Sequence, residues 1–190
     1  SRAVLAVHIY GRRCPMDFIH YESEPRGLLV VEDLAEAHGV RPHKDSFAAC
    51  WSFYANKIVA GEEGGAVWFN DKANAERARK MRCLGFTDDH DFTHIPRGHN
   101  YRLADCLADK ILYSLASADD NIKRRQEVVN RYDQVCPDLW KMPPRDANWV
   151  YDLRIPSLIR DRQKLIVKEL NDAGIAARCS FYPMSLQEEF

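Results

Sequence analysis

No two of the six cysteines stand close enough to form a CxxC pair; they are scattered at positions 14, 50, 83, 106, 136 and 179. That scatter excludes the paired thiolates of structural zinc sites and of thioredoxin-like redox motifs. Free thiols in a reducing compartment fit best. Long hydrophobic runs are also missing. Nothing approaches the roughly 18 apolar residues that span a bilayer, and the first residues carry no signal-peptide pattern, so a soluble, cytoplasmic protein without a membrane partner is expected. Charge of one sign is lacking too: a formal net charge of −1 gives no global field to draw nucleic acid. Internal repeats and low-complexity tracts are absent. What remains is an ordinary globular composition, 46% hydrophobic over 190 residues, enough to bury a core without disulfides or metals.

The apolar runs are short and bounded by turns. AVLAVHIYG, from Ala3 to Gly11, predicts a strand buried on both faces; LLVVED ending at Asp33, AACWSFY ending at Tyr54 and GAVWFN from Gly65 to Asn70 predict three more. A short helix fits between Met16 and Arg26. Asn70 or Asp71 caps a helix carrying Ala75, Ala78 and Met81 and closed by Gly85. Alternating strands and helices predict a mostly parallel α/β sheet over residues 1–102. The apolar positions 107, 111 and 115 predict a long, bent helix over 103–136. Residues 137–190, entered through a proline-rich linker, read as a smaller α+β unit. Its expected strands are WVYDLRIP and GIAARCSFYP, with an amphipathic helix from Asp161 to Asn171 between them.

Two residues point to chemistry. Asp33 ends a buried parallel strand, at the edge where open α/β sheets bind ligands. The competing role for it is a helix N-cap, because LAEAH follows at once. Lys57 lies just past the end of the next strand, among Phe53, Tyr54, Ala55 and Ile58. An acid and an amine on neighbouring strand ends suit a pyridine nitrogen kept protonated by the acid and an aldehyde held as a Schiff base by the amine. Ser52 could hydrogen-bond a phosphate, and Gly61, Gly64 and Gly65 let the backbone approach closely. The bland alternative pairs Lys57 with Glu62 or Glu63.

VVEDLAEAHG, followed by SFYANKIVAGEEGG and then GHNYRL, resembles the DegT/DnrJ/EryC1/StrS family of pyridoxal-phosphate-dependent sugar aminotransferases, in particular its perosamine-synthase-like members. The resemblance runs from Leu5 to Gln187. It implies a fold-type I transferase that binds pyridoxal 5'-phosphate and moves an amino group from an amino-acid donor, usually glutamate, to a keto-deoxy nucleotide sugar. By that resemblance Lys57 is the lysine bonded to the cofactor and Asp33 the partner of its ring nitrogen. Ala35 packs on the ring, Glu36 lies near the cofactor and the substrate amine, and Ser52 holds the phosphate. Asn100 reaches that phosphate across a subunit boundary, which implies a homodimer with shared sites. Members of the family are longer at both ends, so the chain is expected to be a fragment of a longer enzyme.

The alternative is a truncated chain with the fold but without catalysis, serving only as a partner or structural subunit. A metal site in the loop from Gly85 to Arg102 (Asp88, Asp89, His90, Asp91, His94, His99) is disfavoured by Pro96 and the lack of helical pattern; no metal is expected. That loop and Arg178 are candidates for substrate contact. His8 reads as a satisfied core histidine, Lys123–Arg125 as a solvated helix face, and the four tryptophans as core or interface.

Overall fold

The computed structural model describes residues 1–86, 92–95 and 97–188. By internal contacts the chain divides into two units, Ser1–Val129 with Pro144–Val150, and Asn130–Pro143 with Tyr151–Phe190. No helix among the described residues is long and apolar enough to cross a membrane.

In the first unit β1 (Ala3–Val7), β2 (Leu29–Asp33) and β3 (Ala48–Ser52) run parallel, and β4 (Gly65–Phe69) lies antiparallel on β3. The register sets Val7 against Asp33, Asp33 against Cys50, and Ser52 against Gly65. The carboxyl ends of the three parallel strands therefore share one edge. Helix α1 (Met16–Ser23) makes the β1–β2 crossover and packs Met16 on Ala6 and Val30. Gly27, at φ 61, ends the 3-10 turn that follows and aims the chain into β2.

β1 differs from its expected burial on both faces. Ala6 is buried, but Leu5 is 61% exposed, and Val7, Leu29 and Val67, which share its face by register, are exposed as well. Side chains alternate across a strand, and α1 packs on the Ala6 face only. An apolar run signals two coverable faces; it does not supply the covers.

Helix α2 (Lys72–Arg82) starts as predicted, with Asp71 Oδ1 accepting the Asn74 N–H at 3.0 Å. The long helix is two: α3 (Asp105–Ala116) and α4 (Ala118–Val135), parted at Ser117. In the second unit Tyr151 stacks on Tyr132 at 4.9 Å and donates its hydroxyl to Asp133 at 2.7 Å. Burial and this bond push the Tyr151 phenol above its ordinary range. Helix α5 (Gln163–Asp172) ends where the Asn171 side chain bonds both backbone groups of Ala177, across Gly174 at φ 80. WVYDLRIP and GIAARCSFYP form no strand. An isolated bridge between Lys141 and Leu153 is all the ladder found among the described residues of this unit. Alternation makes a segment amphipathic, but a strand also needs a neighbour for its N–H and C=O groups.

Candidate functional site

The site is built on the turn that follows β2. Leu34 and Ala37 are fully buried and pack with Ala49 and Ala147, which draws residues 34–39 against the sheet as two successive turns. No helix follows Asp33, so its N-cap reading is corrected. Its Oδ1 instead accepts the Ala35 N–H at 2.9 Å, a local turn that fixes the carboxylate at the strand end. The Leu34 N–H continues the ladder to the Cys50 carbonyl at 2.8 Å. Burial first, and the Asp33 charge second, push the Cys50 thiol up, so this cysteine stays protonated beside the acid.

Glu32, one residue earlier, faces the other side and serves the core. The Cys14 N–H donates to His8 Nδ1 at 3.0 Å, which leaves the hydrogen on Nε2 to donate to Glu32 Oε2 at 2.9 Å. Glu32 Oε1 accepts the His43 N–H at 2.7 Å. His8 is thus the satisfied core histidine expected. Glu36 is buried, and its Oε2 accepts the Tyr10 N–H at 2.7 Å, where Tyr10 takes the left-handed φ of 52. Ala35, between Asp33 and Glu36, is partly buried.

Past Ser52 the chain folds into a loop closed by its own backbone. The Phe53 N–H donates to Gly64 O at 2.9 Å, Gly61 N–H to Phe53 O at 2.8 Å, and Lys57 N–H to Tyr54 O at 2.9 Å. The Ser52 hydroxyl accepts the Tyr54 N–H at 3.3 Å. The glycines do permit a close approach, but the neighbour at Gly61 and Gly64 is α3: a side chain at Gly61 would overlap Ile111. Glu62 pairs with Lys110. Lys57 is partly buried, and its Nζ lies 3.8 Å from the centroid of the Trp149 ring.

Two residues here escaped the sequence reading. His38 is 6% exposed and stacks on Phe53 at 6.0 Å, and among the described residues neither ring nitrogen has a hydrogen bond of good geometry. Burial first, then the Lys57 cation, push its pKa down to about 4, with the Ser52 backbone opposing. The ring is neutral at physiological pH. Its place inside DLAEAHG, five residues after Asp33, was the available signal. Trp149 had none, because the segment carrying it is joined to the sheet from far along the chain. The Asp146 and Ala147 N–H groups both donate to Gly11 O, at 3.0 and 2.9 Å, and the Arg13 N–H donates to Asp146 Oδ2 at 2.8 Å. Gly11, at φ 77, has no room for a side chain against Ala147.

Asn100 lies in the segment that leads into α3. It bridges Cys83 in the exposed segment after α2 and accepts a bond from Arg102 Nε at 3.0 Å. Of the loop residues weighed as metal ligands, Asp88, Asp89, His90 and Asp91 lie outside the described residues. His94 donates from Nδ1 to Leu84 O at 2.8 Å, and His99 stacks on Tyr101.

The profile of the DegT/DnrJ/EryC1/StrS aminotransferase family matches residues 1–190. GDP-perosamine synthase of Caulobacter vibrioides is 30% identical over all of this chain and 55% of its own length. The dTDP-3-amino-3,4,6-trideoxy-alpha-D-glucose transaminase of Micromonospora megalomicea is 34% identical over 90% of this chain and 49% of its own. Among solved structures, Helicobacter pylori PseC superposes with a TM-score of 0.91 at 22% identity, covering 100% of this chain and 55% of that one; at that identity the likeness shows the fold. S. venezuelae DesV superposes at 0.85 with 28% identity, covering 99% and 53%. The chain spans about half the length of the curated relatives it matches. The family match covers every residue: the chain belongs to the DegT/DnrJ/EryC1/StrS aminotransferase family.

Proposed function

We propose that Asp33, Ser52 and Lys57 form the cofactor-facing part of a pyridoxal-phosphate-dependent aminotransferase. In the whole protein it would move an amino group from an amino acid, glutamate, to a keto-deoxy nucleotide sugar. One observation carries this reading: an acid ends β2, a hydroxyl ends the neighbouring parallel strand β3 two residues beyond the acid's partner Cys50, and a lysine follows in the loop beyond. The names of the relatives, a GDP-sugar synthase and a dTDP-sugar transaminase, support the substrate class.

The residues fit the cofactor chemically. When bound, pyridoxal phosphate supplies an electron-accepting ring through which an amino group passes between carbon skeletons. Asp33 would hold a proton on the ring nitrogen, its carboxylate already oriented by the Ala35 N–H. Ser52 would donate its hydroxyl to the phosphate, and Ala35 and Glu36 would line the ring and the substrate amine. Lys57 would bond the aldehyde carbon and, as a free amine, take the proton from the α-carbon of the amino donor. Asn100 would reach the phosphate of a second subunit in a homodimer.

The test is covalent. After incubation with pyridoxal phosphate and borohydride reduction, peptide mass analysis should find the pyridoxyl group on Lys57, and Lys57→Ala should lose it. Labelling spread evenly over surface lysines would defeat the assignment.

A further inference from the structure

The Lys57 side chain has a partner that none of the motifs contains. Trp149 is 5% exposed and is fixed through three bonds: its indole Nε1–H donates to Asn56 O at 3.0 Å, its N–H to Ala147 O at 3.2 Å, and its carbonyl accepts from Arg125. The first of these is made to the residue directly before Lys57. The ring is therefore registered on the lysine's own backbone and presents its face to the lysine's side chain, with Nζ 3.8 Å from the centroid. A packing role alone would account for the bond from the buried indole N–H, but not for a cation over the ring face.

Two further groups lie near this corner. His38 approaches from the turn after β2, and Arg125 from α4; both couple electrostatically with this corner. The π face supplies the negative end of a quadrupole and attracts an ammonium, whereas a neutral amine gains little from it. A lysine on its flexible four-carbon stem is thereby held in one place while charged and released as it loses the proton.

We propose that Trp149 is a positioning residue for Lys57, a catch that holds the side chain as an ammonium and lets it go as the nucleophilic amine. Its bearing on transamination rests on the reading above; the catch itself needs no cofactor.

Competitive acylation with trace acetic anhydride at fixed pH, quantified for each lysine by mass spectrometry, tests it without pyridoxal phosphate. The other lysines serve as internal standards. Trp149→Leu keeps an apolar side chain but removes the π face, and Lys57 acylation should rise roughly two- to fivefold relative to those standards. Trp149→Phe keeps a face and should restore most of the protection, which a merely structural role would not do. Equal reactivity in the Leu and Phe variants, or no change in either, overturns the proposal. Should Trp149→Leu not fold, Lys57→Met provides the second reading: the emission of the chain should shift on loss of the cation, and not when Trp149 is already Phe. An unshifted emission in Lys57→Met likewise overturns it. Failure of the pyridoxyl labelling above, with the acylation pattern intact, would remove the cofactor reading and leave the catch standing.

Discussion

At His38, burial and the Lys57 cation push the ring's pKa from 6.5 down to about 4, which ties this residue to stability as well as to the site. The unfolded chain binds the proton more tightly, so the stabilising contribution is complete above about pH 6.5 and is lost progressively as the pH falls toward about 4. The loss is at most about 3 kcal/mol. Urea unfolding at pH 7.5 and pH 5 should show a clear drop for the parent chain and a smaller one for His38→Phe, which keeps the stack on Phe53. An equal drop in both would mean that His38 does not titrate as its surroundings dictate. The buried His8, by contrast, has a partner at each ring nitrogen. The histidine that follows β1 and the one in the turn after β2 thus differ in how well their ring nitrogens are bonded.

Among the elements, the β3–β4 loop and α3 are fitted to one another at Gly61. A methyl group there meets the Ile111 side chain, and Ser114 on the same helix accepts the Ala60 N–H at 3.0 Å. Gly61→Ala should cost about 1–3 kcal/mol by overpacking, measurable as a lower urea midpoint, and Ile111→Ala in the same chain should recover part of it. An unchanged midpoint would show that α3 can retreat freely. The strand ends carrying Asp33 and Ser52 were legible because buried parallel strands announce themselves as apolar runs, and their last polar residues fall at the edge. Lys57 was legible as a lone cation beside them. The helix that the competing N-cap role for Asp33 needed is not there, because Leu34 and Ala37 gain more by packing on Ala49 and Ala147 than a short LAEAH turn gains alone. Trp149 was legible as a core residue but not as a neighbour of Lys57. Nothing local in NWVYD says that its ring meets residue 57, and the alternation that suggested a strand described only its two-sidedness.

For the molecule as a whole, a net charge of −1 and a pI near 6.6 leave little electrostatic repulsion near neutral pH. The Leu5, Val7, Leu29 and Val67 face adds apolar surface. The chain should therefore bind 8-anilinonaphthalenesulfonate while folded, and Leu5→Lys with Val67→Lys should reduce that binding with little change in melting temperature; undiminished dye binding would place the apolar surface elsewhere. The Gly11–Ala147 junction has a temporal consequence. The Arg13–Asp146 bond beside it spans a separation of 133 residues, and closing so long a loop costs entropy that no local contact repays in advance. During synthesis Lys57 emerges long before the residue that covers it, and the lysine waits in water until the tail of the unit arrives. In pulsed hydrogen exchange during refolding, the Ala147 amide should gain protection after the β1–β2 amides; protection in the same phase would mean that sheet and catch assemble together.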